Sequence, residues 1–128
     1  MRIEEGERES GIVIKDECSE DMLDKNYHNL ILSHVLEKEH KGVLTGSPLC
    51  GVKVVLIAGR AHLKHTEGGD FREAVYRAIR QGLMNAENIL LEPWYDFEIE
   101  VPVNLSGRVI SDIQRMGGEY DSPLTADE

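Results

Sequence analysis

His62 and His65 stand three positions apart in the run IAGRAHLKHTEGGDF, residues 57–71, with Arg60 and Lys64 in the same stretch. Three kinds of chemistry suit these residue types. Two imidazoles that titrate near neutrality can serve as the acid and base of a small RNA-processing enzyme. An H-x-x-H spacing can supply half of a metal site. Arginine and lysine can contact phosphate oxygens while an imidazole stacks on a splayed base. The metal reading lacks ligands, since loop 59–66 holds no Cys, Asp or third His and the H-E-x-x-H form is missing. The enzyme reading lacks a partner carboxylate within the loop, and no G-x-S-x-G nucleophile motif occurs elsewhere. Arg60, Lys64, His62 and His65 are candidates for that third kind of contact. Composition alone favours an ordinary solvated loop.

The elements around this loop follow from hydrophobic period. GIVIK (11–15) alternates like a short strand. Residues 25–41 repeat apolar positions at helical spacing through Tyr27, Leu30, Ile31, His34 and Val35. Asp24 or Asn26 is expected as the N-cap, and Gly42 as a left-handed stop. His34 falls on the apolar stripe and reads as semi-buried, whereas His28 and His40 read as surface groups. GVLTGSPLCG (42–51) is a loop, and GVKVVLIAG (51–59) is a β-branched strand buried on both faces except near Lys53. After the basic loop, Asp70 opens a helix with Phe71, Ala74, Val75, Ala78, Ile79 and Leu83 on one stripe. Its outer face carries Arg72, Tyr76 and Arg80 in a row, either a solvated face or an RNA-facing extension of the loop. WYDFEIEV (94–101) alternates as a half-buried strand, and 104–118 forms a last helix stopped at Gly117.

The totals bound these readings. One hundred and twenty-eight residues fit one ordinary domain, or one plus a fragment. Hydrophobic residues make up 41% and charged ones 30%, a globular composition without an apolar run long enough for a membrane span. Cys18 and Cys50 show no paired metal spacing and read as reduced thiols of a cytoplasmic protein. A formal charge of −10 argues against a general nucleic-acid coat. Residues 51–83 reverse the balance, with six Lys/Arg against three acids. The expected fold is α+β: a two-layer sandwich of a small mixed sheet with helices on one face, plus a partial ferredoxin-like strand–helix unit.

The quoted loop, GDFREA (69–74), VLTGSPL (43–49) and ENILLEPWYDFEIEVP (87–102) together resemble the translational GTPases. The likeness is strongest to the tetracycline-resistance ribosomal protection proteins and extends to elongation factor G. It covers about residues 9–118. It implies a fourth-domain-like, ribosome-contacting segment over 1–90, with its first strand cut short at Met1. It further implies the opening strand and helix of a fifth-domain-like unit over 91–118, then an acidic tail over 119–128. By resemblance, loop 59–66 is a tip that enters the decoding region of the small ribosomal subunit, Arg60, His62, Leu63, Lys64 and His65 are its RNA-contacting residues, and the ribosome and its small-subunit rRNA are the partners. The sequence has no G-x-x-x-x-G-K-[ST] loop, so this segment is expected to bind no cofactor and catalyse nothing. GTP and Mg would belong to a parent GTPase. An elongation-factor-like translocation role is the neighbouring alternative. The edge of strand 94–101 is expected to allow dimerisation of the fragment.

Overall fold

A computed structural model describes residues 1–62 and 68–125. The chain divides into two compact units, Met1–Leu91 and Glu92–Glu128.

In the first unit, β1 (Arg2–Glu5), β2 (Ile12–Asp16) and β3 (Val52–Leu56) form a three-stranded sheet in the order β1-β3-β2. β3 runs antiparallel to β1 and parallel to β2. The parallel pair needs a crossover, supplied by α1 (Lys25–Leu36). α2 (Gly68–Asn85) follows the basic loop. The alternation of β3 sends Val52, Val54 and Leu56 to one face, where they join Ile31 and Val35 of α1 and Phe71, Val75, Ile79 and Leu83 of α2 in a single core. Tyr27 and Phe71 stack their rings 4.9 Å apart where the two helices meet. Close approach of α2 to the sheet requires Gly82, because a Cβ there would sit 2.5 Å from Ile3 Cδ1. A mixed sheet covered by helices is the α+β arrangement expected from the sequence.

Val55 points to the other face and is completely buried, although it lies outside the main core. Arg2 and Lys15 flank it across the sheet. Glu17 binds the head groups of both, at 3.0 and 2.8 Å. The register puts Arg2 and Lys15 on the valine's face of the sheet, where their aliphatic stems can cover it while their charges stay in water.

Several details differ from the sequence reading. α1 ends at Leu36 rather than at 41, and the chain stops helically at Glu37, so Gly42 is not its left-handed stop. Asp24 occupies the N-cap position but makes no side-chain cap. Its carbonyl accepts from Tyr27 and His28 instead. α2 is closed by Asn88, whose side-chain amide donates to the carbonyls of Leu83 and Ala86 at 2.7 and 2.9 Å. Ala74, expected on the apolar stripe, is exposed.

In the second unit, a 3-10 turn (Val103–Leu105) leads into α3 (Ser106–Arg115). Gly117 has φ +74°, and the amide of Gly118 donates to the carbonyl of Ile113, so this helix ends as a glycine stop should. Ile113 is buried, whereas Met116, expected to point inward, is exposed. Residues 94–101 form no strand, and every one of them is exposed. An alternating segment becomes a strand only when its backbone groups find a neighbouring ladder, and none of the described residues supplies one.

Candidate nucleic-acid interface

The loop after β3 leaves the sheet through Gly59, which lies against Leu23. A Cβ at Gly59 would come 2.7 Å from Leu23 Cδ2. Leu23 is buried and is held in turn by His28, whose Nε2 lies 2.7 Å from the Leu23 carbonyl oxygen. The other ring nitrogen of His28 lies 2.8 Å from Asp16 Oδ2 at the end of β2. The carbonyl can only accept, as can an ionised carboxylate. Both contacts are hydrogen bonds at once only with a hydrogen on each ring nitrogen. Asp16 Oδ1 also accepts from the amide of Cys18 at 3.0 Å. Burial pushes the Asp16 carboxyl up. The His28 hydrogen bond, the Cys18 amide and the nearby charges of His28 and Lys25 outweigh it, and the group sits below its ordinary range. The root of the basic loop is therefore fixed through Asp16, His28 and Leu23.

Beyond that root, Arg60 and His62 are exposed and Ala61 is half-buried. Leu63, Lys64 and His65, the other expected RNA-contacting residues, lie outside the described residues. Ala61 shares a shallow pocket with Glu20, Asp21 and Asp24. Acidic side chains thus border the root of a loop that is itself basic.

The row on α2 is joined to the end of α1. Glu37 Oε1 accepts from Arg72 Nε at 2.8 Å and from the Tyr76 hydroxyl. His34 Nδ1 lies 3.1 Å from Glu37 Oε2, yet neither of its ring nitrogens has a well-aligned hydrogen bond. The Tyr76 hydroxyl, then Arg72, lower the Glu37 carboxyl to about 2. The same carboxylate, by accepting from Tyr76, holds that phenol above its ordinary range. Arg72 and Tyr76 thus brace α1 against α2, and the Lys38 ammonium sits 3.9 Å above the Tyr76 ring. Arg80 is exposed further along the helix.

Two histidines expected at the surface are buried. His28 is wholly enclosed, and His40 is nearly so, with its Nε2 lying 2.7 Å from the Val35 carbonyl oxygen. Each finds an acceptor from a carbonyl five residues earlier, which removes the penalty of burying a ring nitrogen. His34 is buried, as its place on the stripe implied. Sequence reasoning also passed over Glu37. The signal available was an acid three residues beyond His34 at the end of an amphipathic helix. Its partners on α2 are 35 and 39 positions away. Among the described residues, no three His, Cys, Asp or Glu side chains converge as a metal site would require. Nor is any helix long and apolar enough to cross a membrane.

A three-stranded mixed sheet carrying a basic loop between its central strand and a long helix defines the class. Residues 1–87 match the family described as elongation factor G, domain IV, and the chain belongs to that family. Among curated proteins it is similar to the tetracycline resistance protein TetP of Clostridium perfringens, with 28% identity over 124 residues. The alignment takes in 97% of this chain and 19% of that relative, so the chain spans about a fifth of the relative's length.

Proposed function

We propose that this chain is the ribosome-contacting segment of a translational GTPase of the ribosomal protection type. Its basic loop 59–66 meets small-subunit rRNA near the decoding region. The observation that carries the reading is the similarity to a tetracycline resistance protein along 97% of the chain. Arg60 and Lys64 neutralise phosphates, His62 and His65 stack on or donate to exposed bases, and Leu63 contacts an apolar base face. The acids elsewhere discourage indiscriminate RNA binding. Residues 1–90 act as the fourth-domain-like unit. Residues 91–118 are the start of the next unit, and 119–128 are a tail. Of the row Arg72, Tyr76 and Arg80 on α2, the first two are held by Glu37, which leaves Arg80 as the member that faces RNA. GTP hydrolysis and its Mg belong to the rest of a longer cytoplasmic protein, because nothing in this sequence matches a phosphate-binding loop.

The test is cosedimentation of the Arg60→Ala/Lys64→Ala double variant with small ribosomal subunits over a range of salt. Losing two phosphate contacts should weaken binding and lower the log–log salt slope by about 1.4–1.8. Equal binding by variant and original at every salt concentration would refute the loop assignment. The family match to elongation factor G supports a second reading, in which the parent drives translocation. The two part on the full-length parent: release of bound tetracycline from ribosomes supports protection, and movement of tRNA and message without drug release supports translocation.

A further inference from the structure

The C-terminal half of α2 and the segment after α1 enclose an open groove of roughly 640 Å³. That volume suits a nucleotide-sized group. Lys38, Lys41, Arg77 and Arg80 line it, with Glu39 as the one acid among the lining residues. Four cations against one anion is the reverse of a chain whose net charge is −10. Two of the four are already engaged: Arg77 with Glu73 at 2.8 Å, and Lys38 over the Tyr76 ring. Lys41 and Arg80 are exposed and form no ion pair among the described residues. His40 and Tyr76 also line the groove, and their rings meet edge to face at 5.9 Å. Cations set around aromatic rings are the pairing that single-stranded nucleic acid exploits.

We infer that this groove is a second RNA-contacting site, separate from loop 59–66, that takes the phosphodiester backbone of a single-stranded rRNA segment. The inference rests on the proposed ribosomal role. Arg80 lies about 18 Å along the axis of α2 from Gly68, so the groove and the loop reach different parts of an RNA surface. Lys41 and Arg80 supply the phosphate contacts, and the Lys38 ammonium, held over the Tyr76 ring, adds positive charge beside them. An acidic peptide is the competing occupant. No strand edge contributes to the lining, so a peptide backbone has no ladder to join.

The test uses the whole 128-residue chain, with purified small ribosomal subunits and a labelled oligouridylate of about 12 nucleotides as probes. Lys41→Gln/Arg80→Gln should lower the salt slope of subunit binding by about 1.4–1.8 and weaken oligouridylate binding several-fold. The charge-conserving pair Lys41→Arg/Arg80→Lys should retain the original slope, and its loss would mark a merely structural effect and overturn the inference. If the Gln pair binds like the original while Arg60→Ala/Lys64→Ala loses affinity, the groove assignment falls and the loop assignment stands. The converse pattern keeps the groove and removes the loop. Polyglutamate that displaces the oligouridylate at equal charge concentration would show an acidic-peptide site and overturn the proposal.

Discussion

Substituting Asp16 by alanine tests whether the root of the basic loop is held from beneath. The change removes two accepted contacts, the His28 ring nitrogen at 2.8 Å and the Cys18 amide at 3.0 Å. His28 is wholly enclosed, so its freed nitrogen has no water to turn to, at a cost of about 1–3 kcal/mol. The Cys18 amide lies in a half-buried residue and regains hydration, adding about 0.5 kcal/mol. The Lys25 ammonium, 3.7 Å from Asp16 and more than half exposed, contributes close to nothing. The expected loss is therefore about 1.5–3.5 kcal/mol. In a unit of this size that corresponds to a fall in Tm of roughly 6–28 °C. Urea unfolding followed by far-ultraviolet circular dichroism measures it, with Lys25→Ala as the control that should stay within about 0.5 kcal/mol. A loss below about 0.5 kcal/mol for Asp16→Ala would mean that His28 is satisfied in some other way, and the linkage from β2 to the loop would have to be abandoned.

Gly59→Ala forces a methyl group against Leu23 Cδ2. It should cost about 1–3 kcal/mol and change amide exchange at residues 23 and 59–62, as measured by NMR. Glu37 titrates well below its ordinary value, at about 2. A depressed carboxylate contributes stability that is fully present above its unfolded pKa and lost as pH falls toward 2. Thermal midpoints recorded between pH 5 and pH 2 should therefore fall less steeply for Glu37→Gln than for the original, and identical slopes would contradict the Glu37 geometry. Asn88→Ala removes the side-chain cap from α2 and should destabilise the unit by about 1 kcal/mol by urea titration.

β2, β3 and the two long helices were legible in the sequence because their burial is local, whereas the residues of β1 gave no strand signal. Val52, Val54 and Leu56 alternate, and Phe71, Val75, Ile79 and Leu83 recur at helical spacing. The burial of His28 and His40 could not be read that way. A histidine is admitted to an interior by its acceptors, and here those are a distant carboxylate and carbonyls whose positions depend on how the helix ends. The end of α1 was overrun for a related reason. Residues 37–41 keep helix-forming side chains, but His40 folds back to the Val35 carbonyl and Lys41 bridges to Pro48, and the chain leaves the helix there. At 94–101 the period was clear and the ladder absent, since alternation reports a preference and not a partner. The basic loop stood out by composition. Its seat on Leu23 did not, because a glycine at close approach looks like any other loop glycine.

Val55 has a consequence for how the sheet's outer face evolves and how it can be engineered. Arg2 and Lys15 shelter an enclosed valine with their stems, so their length matters there more than their sign. Trimming both to serine would leave the surface polar by any tally of residue types and yet uncover a greasy spot at its centre. Methionine at the same two sites would drop the charges and keep the shelter.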